Sequence, residues 1–406
     1  MVQEVAIYLV VHQPRRIKLP AQPIPQGVSA EDMEKCLFDE RLNQRYFDKV
    51  TRYCYIPATD KFLELVEKGM KISISFSVSF LQQAMKWGER DVLPRFRKLV
   101  AHPNVELIGM EPYHSFIFLW DIDMFVKRME WARNYLAQLL GKEPTVSDTT
   151  EMYLSNDVYF ALQKAGFEAT FMDGRPWVLG WREATHLYNY SQSRLKILIR
   201  HHSLSDDVGY RFSNRQWCHY PLTADTYVTW IQQTRGDFVF LGWDYETFGE
   251  HHSVYSGIFD FLEWLPVELK KREVSLATPS QLVQKYAPTA YDLPLPEFGS
   301  TWAGSGGMEF FLGNSAQQAI LRLMMSVYNK AKLTGNEKLV DIALWLAQSD
   351  NLHLIQWYGR GGGSEAEVSQ YFTPQEWFQL SPDGIIWHQQ QVYKNAIRAM
   401  DYYMRP

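Results

Sequence analysis

Short apolar runs, each followed by polar residues and then by a helical period, recur along the first 285 residues of the chain. The run from Glu4 to Val11 is the first of them and ends at His12-Gln13-Pro14, where proline stops the ladder. The segment from Lys71 to Phe80 alternates strictly between polar and apolar positions, which predicts a strand. A strand, a polar end and a helix, repeated about seven times, predict a parallel α/β barrel or a variant of it.

Further elements follow the same order of strand and helix. Strands are predicted over Val105–Gly109, Pro144–Thr150, Glu168–Met172, Lys196–His201 and Glu273–Leu276. Helices are predicted over Asp121–Leu140, from Ser155 to about Gly166, from Thr223 to about Gln233, and over Val254–Leu265. Residues 15–60 contain several prolines and no clean period, and we expect a long excursion with short helices there.

The spacing of apolar residues along the chain changes after residue 285. Prolines and glycines dominate residues 286–307, and beyond them apolar stripes with helical spacing predict a small bundle. We therefore predict three parts: a catalytic barrel over 1–285, a linker over 286–307, and a helical bundle over 308–406 that contributes to the active-site cleft.

The densest group of polar candidates follows the apolar run 238–243. The stretch FVFLGWDYETFGEHH places five ionisable residues directly after that predicted strand: Asp244, Glu246, Glu250, His251 and His252. Charged residues at the carboxyl ends of buried strands are how an α/β barrel presents catalytic groups. His12, Glu111 and Glu151 also come just after predicted strands, which favours one shared site.

Composition narrows the classes of function. The chain has 406 residues and a formal net charge of −5, so it lacks the excess of positive charge that is typical of proteins that bind nucleic acid or an anionic membrane. It has no apolar run long enough to span a bilayer, and its three cysteines suggest reduced thiols in the cytoplasm. Aromatic residues make up 15% of the chain, enough to line a groove for flat ligands such as sugars.

Carboxylates from different strands, together with aromatic residues, indicate glycoside chemistry. Cleavage of an acetal needs one group to protonate the leaving oxygen and another to attack or stabilise the anomeric carbon. The residues alone do not single out the pair, because five acids qualify: Glu111, Glu151, Asp244, Glu246 and Glu250.

Five ordered motifs resemble those of glycoside hydrolase family 57. They are HQP, GMEPYH, TTEMYLSND, DYETFGEHH and ATPSQ, and QSDNLH extends the similarity into the predicted bundle. The short α-amylase group of that family is similar in length. The resemblance implies a distorted seven-stranded, TIM-like (β/α)7 barrel, retention of configuration at the anomeric centre, and α-glucan or maltooligosaccharide substrates.

The resemblance also implies roles for single residues. Glu151 matches the family's nucleophile and Asp244 its general acid/base, whereas Asp350 matches a residue that approaches the glycosyl subsite. The other predicted substrate contacts are His12, Gln13, Glu111, His114, Trp243, Glu246, His251, Trp302 and His353. One departure is the TTEMYL motif, since many members carry an aromatic residue two or three positions before the glutamate.

Three alternatives stay open. A 4-α-glucanotransferase or branching enzyme would use the same carboxylates and differ only in the acceptor. A non-catalytic α-glucan-binding protein would need only the aromatic groove. A metal-dependent deacetylase-like or mannosidase-like enzyme has enough histidines, but no HxD, HEXXH or paired-cysteine spacing is present, so we predict neither metal nor cofactor. The oligomeric state does not follow from the sequence.

Overall fold

A computed structural model describes residues 1–404, which divide into two compact units. The first, here the barrel unit, comprises Met1–Gln13, Tyr46–Pro112 and Asp123–Trp302. The second, here the helical unit, comprises Pro14–Arg45, Tyr113–Ile122 and the described residues from Ala303 onward. The predicted division at 286–307 stays a prediction, and the structure adds that two early segments cluster with the carboxyl-terminal helices.

The barrel unit contains ten strands, most of them short and buried. In chain order they are β1 (Glu4–Val11), β2 (Ile72–Phe76), β3 (Val105–Ile108), β4 (Val146–Ser147), β5 (Ala169–Asp173), β6 (Leu187–Asn189), β7 (Lys196–Arg200), β8 (Phe238–Asp244), β9 (Ser275–Leu276) and β10 (Tyr291–Asp292).

Seven of these strands are paired in parallel in a cyclic order. The pairs are β1 with β2, β2 with β3, β4 with β5, β5 with β7, β7 with β8, and β8 with β1. A single parallel bridge between Gly109 and Ser147 joins β3 to β4, and the β7–β8 contact rests on Arg200 opposite Phe240. The α/β architecture predicted from the sequence is thus confirmed. The strands follow one another in a distorted ring, in which the β3–β4 and the β7–β8 contacts each consist of a single residue pair. Strands β6, β9 and β10 are additions to it.

Side chains alternate between the two faces of the strands, and both faces are buried. In β1, Ile7 and Leu9 pack with the surrounding helices, whereas Tyr8 points to the inner cluster. The rings of Tyr8, Phe171 and Phe240, from β1, β5 and β8, fill that interior, with centroids 4.6 Å apart for Tyr8–Phe171 and for Phe171–Phe240. The interior is therefore a packed core, and chemistry is confined to the strand ends.

Helices cover the outside of the strands and connect them. In the barrel unit they are Ile56–Glu67, Val78–Trp87, Val92–Ala101, Asn156–Lys164, Pro176–Leu179, His202–Gly209, Ala224–Gln233, Ile258–Lys271 and Pro279–Tyr286. Two more helices, Glu40–Val50 and Ile122–Leu140, begin in the helical unit and end in the barrel unit.

The predicted strand Lys71–Phe80 is wrong over its second half. Strand β2 ends at Phe76, and Ser77 then caps a helix because its hydroxyl accepts a hydrogen bond from the Phe80 backbone N–H. This cap gives a hydrogen-bond acceptor to a backbone N–H in the first turn, which has no partner within the helix. The helix is therefore stabilised although the sequence alternates as in a strand.

Other predicted bounds also differ from the structure. The strand predicted over 144–150 is reduced to the two residues of β4, because the chain turns sharply before Glu151. The helix predicted over 254–265 is a short helical turn, Val254–Ser256, followed after Gly257 by Ile258–Lys271.

The helical unit is built from Ala30–Leu37, Glu309–Leu312, Ser315–Leu333, Glu337–Leu346, Asp350–His353, Ser364–Phe372 and Pro382–Met400. The long helices of this set agree with the helical spacing of apolar residues noted beyond residue 307. Within the part of the chain that the structure describes, every helix is too short or too polar to cross a lipid bilayer.

Candidate active site

Asp244 is the last residue of β8 and lies on the strand face that continues the barrel interior. It pairs in register with Val10 of β1, and the inward positions before it are Phe238 and Phe240. Trp243 has the opposite orientation: its side chain is buried on the helix side, and its indole N–H donates to the Ser205 carbonyl over 2.8 Å. In this structure the Trp243 side chain packs among the helices, and its predicted contact with substrate stays a prediction.

Two buried carboxyl groups lie near Asp244. The Tyr8 hydroxyl donates to Oδ2 of Asp148 over 2.7 Å, and the Tyr55 hydroxyl donates to Oε1 of Glu246 over the same distance. Burial raises the pKa of Asp148 to about 7, although the Tyr8 and Thr149 hydrogen bonds oppose this, and the charge of Asp244 adds to it. The negative charge of Asp244 thus opposes ionisation of both buried acids.

Glu246 is the second of the two buried acids near Asp244. Burial raises its pKa to about 8, and the charge of Asp244 contributes in the same direction, whereas the hydrogen bond from Tyr55 lowers it. Glu246 is therefore mostly protonated at neutral pH. A buried, protonated carboxyl can donate a hydrogen bond as well as accept one, which suits a sugar hydroxyl.

Gln13 and His12 lie at the end of β1. Ser79 and Gln83 donate to the backbone carbonyl of Gln13, whose side chain is 4% exposed. Among residues 1–404, the Gln13 side-chain oxygen has no hydrogen-bond donor. A buried acceptor without a donor is costly, so this oxygen is suited to receive a ligand hydroxyl. The Nδ1 atom of His12 lies 2.7 Å from the Ser77 hydroxyl, which fixes the plane of its ring.

Glu151 has a left-handed backbone conformation, with φ 58° and ψ 27°. Such values are uncommon for a residue other than glycine, and they persist only where the surroundings enforce them. Trp302 supplies two of those restraints: its backbone N–H donates to the Glu151 carbonyl over 3.1 Å, and its indole N–H donates to Oε2 of Glu151 over 2.8 Å. The carboxylate of Glu151 is thus held at a turn between β4 and the next helix.

A buried charge network lies behind Trp302. Asp173, which is fully buried at the end of β5, forms ion pairs with Arg175 and Arg200, and its Oδ2 atom lies 3.2 Å from Nδ1 of His202. Burial raises the pKa of Asp173, but the charge of Arg200, a hydrogen bond from His202 and the charge of Arg175 outweigh burial and bring the pKa below its usual value. The guanidinium of Arg200 lies 5.6 Å from the centroid of the Trp302 ring, so the network is in contact with the residue that holds Glu151.

The remaining predicted residues of the barrel unit are Glu111 and His251. Glu111 is fully buried after β3, whereas His251 is exposed in the loop after β8. Their predicted contacts with substrate stay predictions.

Three predicted residues belong to the helical unit. His114, buried and with φ 55°, has its Nδ1 atom 2.8 Å from the Ser349 hydroxyl and 3.9 Å from Oδ2 of Asp350. Asp350 is half-buried at the start of a short helix. The ring of His353 packs against Phe310, with centroids 5.0 Å apart. Substrate binding by these residues also stays a prediction.

Four residues that shape the site were not predicted from the sequence: Asp148, Asp173, Arg175 and Arg200. Asp173 and Arg200 are the last residues of β5 and β7, so the rule that polar strand ends meet at one site would have found both. Asp148 directly follows β4 and precedes Glu151 by three positions, where the same rule applies.

Comparison with known proteins identifies relatives over most of the chain. The family model described as glycosyl hydrolase family 57 matches residues 6–294. A provisionally named alpha-amylase of Methanocaldococcus jannaschii is 33% identical over 376 residues, which cover 89% of this chain and 78% of that protein.

Solved structures share the fold at lower identity. A branching enzyme of the same family from Thermococcus kodakaraensis has a TM-score of 0.61 at 12% identity, covering 91% of this chain and 94% of that one. A 4-alpha-glucanotransferase from Thermococcus litoralis has a TM-score of 0.61 at 16% identity, covering 92% of this chain and 61% of that one.

Proposed function

Because this chain belongs to glycosyl hydrolase family 57, we propose that it hydrolyses α-1,4-linked glucans with retention of configuration at the anomeric carbon. Glu151 is the nucleophile and Asp244 the general acid/base. The observation that carries the proposal is the restrained carboxylate of Glu151, held by a strained backbone and by the Trp302 indole. Strained backbone is concentrated at functional sites, because a fold retains it only where the surroundings enforce it.

The first step transfers the glycosyl group to the enzyme. A carboxylate oxygen of Glu151 forms a bond to the anomeric carbon while the glycosidic bond to the leaving oxygen breaks. Asp244 gives its proton to that oxygen, so the shortened glucan leaves as an alcohol.

The second step releases the sugar. The ionised Asp244 takes a proton from water, whose oxygen bonds to the anomeric carbon while the ester bond to Glu151 breaks. Two inversions at the same carbon give net retention. Both carboxyl groups end in their starting protonation states, and no further reactant is needed.

Binding of the reacting sugar is assigned to polar groups at the ends of β1 and β8. The unsatisfied oxygen of Gln13 accepts a hydrogen bond from a sugar hydroxyl, and the protonated carboxyl of Glu246 donates or accepts one. In the helical unit, we assign Asp350 a part in binding the glycosyl group, on the resemblance alone. An Asp350→Ala variant with unchanged kcat and KM would remove Asp350 from the proposal.

The direct test is to incubate the protein with maltoheptaose and to resolve the products by size and by anomeric configuration. We expect shorter maltooligosaccharides, new reducing ends, and the α-anomer formed first. The provisional name of the Methanocaldococcus jannaschii relative favours hydrolysis. Products longer than the substrate with few new reducing ends would make the protein a glucanotransferase or branching enzyme. The absence of product from any α-glucan would leave a glucan-binding protein.

A further inference from the structure

Trp302 is joined to Glu151 by two hydrogen bonds that act on different parts of the same residue. The backbone bond of 3.1 Å fixes the carbonyl at the strained turn, and the indole bond of 2.8 Å fixes one carboxylate oxygen. Together they fix the backbone of Glu151 in space and the orientation of its carboxylate. Such restraint matters because a displacement of about 1 Å at a reacting group can cost about two orders of magnitude in rate.

Two arginines contact Trp302, one at its backbone and one at its ring. Arg175 donates to the Trp302 carbonyl, and Arg200 places its guanidinium against the indole face. Arg200 cannot move freely, because it donates to Asp173 over 2.7 Å, to Asp206 over 2.8 Å and to the Gly242 carbonyl over 2.9 Å. A cation against the ring face withdraws electron density from the indole, which strengthens its N–H as a donor.

We propose that Trp302 is a positioning residue for the reaction, which holds the Glu151 carboxylate by its indole N–H and is supported in turn by Arg200. The inference rests on the proposed role of Glu151 as nucleophile. In the first step, the indole N–H holds Oε2 so that the carboxylate is presented to the anomeric carbon in one orientation. In the second step, negative charge returns to the carboxylate as the ester bond breaks, and the same N–H stabilises it.

This role differs from the substrate contact predicted for Trp302, in which the indole would serve as a stacking platform for a sugar. A platform stacks its ring face on a sugar and strengthens binding of substrate and transition state alike, so its loss raises KM. A hydrogen-bond donor to the nucleophile acts on the reacting group, so its loss lowers kcat with little change in KM. Replacement of Trp302 by phenylalanine separates the two, because it keeps an aromatic face and removes the N–H.

The experiment compares Trp302→Phe, Trp302→His and the control Trp264→Phe, each checked for folding by circular dichroism, with maltoheptaose as substrate. Trp264 is 57% exposed on the helix Ile258–Lys271 of the same unit. We expect Trp302→Phe to lower kcat by about 100-fold with KM within about threefold, and Trp302→His to recover at least about tenfold of this loss, because imidazole offers a ring N–H. Trp264→Phe should retain wild-type values.

Three outcomes would overturn the inference. An unchanged kcat in Trp302→Phe would show that the hydrogen bond is dispensable. A raised KM with unchanged kcat would make Trp302 a sugar platform. Equal losses in the Phe and His variants would show that the N–H is not the group that matters. If Trp302→Phe does not fold, the His variant carries the test: kcat within about tenfold of wild type supports the inference, and a loss as large as that of Glu151→Gln contradicts it.

A parallel Glu151→Gln variant separates this inference from the proposed function. If Glu151→Gln keeps wild-type turnover, the nucleophile assignment fails and the role of Trp302 fails with it. If Glu151→Gln is inactive while Trp302→Phe is unaffected, only the inference about Trp302 fails.

Discussion

The hydroxyl of Tyr8, on the inward face of β1, donates to Oδ2 of Asp148 over 2.7 Å and so links the packed interior of the barrel to the acids at its end. Tyr8 also lies 2.6 Å from the Ser75 hydroxyl of β2. Side chains of β1 and β2 thereby fix the buried carboxyl group of Asp148, which directly follows β4. The pKa of Asp148 is raised to about 7, mainly by burial. The stability of the fold is therefore coupled to the protonation of Asp148.

The first prediction concerns this coupling. The pKa of Asp148 and of Glu246 is higher in the folded than in the unfolded chain, so the folded state holds these protons more tightly. Their contribution to stability is complete below about pH 4 and is lost as the pH rises through about 7 for Asp148 and about 8 for Glu246. Asp148→Asn and Glu246→Gln mimic the protonated forms. The free energy of unfolding of each variant, relative to wild type, should therefore rise by about 2–4 kcal/mol as the pH increases from about 5 to about 9.

Denaturant unfolding at several pH values measures this gain. Ser75→Ala is the matched control, because it removes a neutral hydrogen-bonding partner of Tyr8 and no titrating group. Its stability relative to wild type should not depend on pH. A flat difference for Asp148→Asn and Glu246→Gln would contradict the account of the two acids.

The second prediction concerns Gly249, in the loop that carries Asp244 and Glu246. Gly249 has φ 117°, and a β-carbon there would lie 1.9 Å from the Tyr53 carbonyl oxygen. Gly249→Ala should therefore cost at least about 3 kcal/mol of unfolding free energy, because backbone must move to relieve the clash. Gly257→Ala is the matched control: φ is 84° there, but the β-carbon meets nothing within 4 Å, so only the backbone strain of about 1 kcal/mol remains. Similar losses in both variants, measured by denaturant unfolding, would show that the contact with Tyr53 is not limiting.

How far the sequence predicts this structure depends on where a residue lies. The apolar runs of β1 and β8 predict strands correctly, because each strand is buried on both faces and packing enforces its apolar character. The comparison with family models confirms the resemblance drawn from the five motifs. Strand-end position correctly indicates where polar side chains such as Asp244 lie.

Other features could not be predicted because they depend on tertiary contacts. The left-handed conformation of Glu151 is enforced by Trp302, which follows it by about 150 positions, and no local pattern encodes that pairing. The end of β2 at Phe76 depends on a single cap by Ser77, which an alternating pattern conceals. The orientation of Trp243 follows from the register of β8, since a change by one residue would turn it inward.

The third prediction is that chelation leaves activity unchanged. The proposed chemistry is complete with two carboxyl groups, which supply both the nucleophile and the proton. Activity on maltoheptaose before and after dialysis against EDTA measures this. Loss of activity on chelation, followed by recovery with zinc, would favour the metal-dependent deacetylase-like or mannosidase-like alternative.

The fourth prediction is that Glu151→Gln lowers kcat by at least about 10³-fold and leaves the fold and glucan binding largely intact. The amide keeps the size of the side chain and an oxygen that can accept the hydrogen bond from Trp302, but it cannot form the glycosyl ester. Circular dichroism and binding of maltoheptaose by calorimetry are the controls. Turnover at the wild-type rate would remove Glu151 from the mechanism.

Covalent trapping shows directly whether a glycosyl-enzyme forms on Glu151. A fluorinated α-glucosyl fluoride, which forms the ester quickly and releases it slowly, is incubated with the protein, and the labelled peptide is located by digestion and mass spectrometry. We expect one glucosyl adduct on Glu151 in the wild-type protein, and none at position 151 in Glu151→Gln. An adduct on Asp244, Glu246 or another carboxylate, or turnover of the reagent with inversion and no adduct, would contradict this expectation.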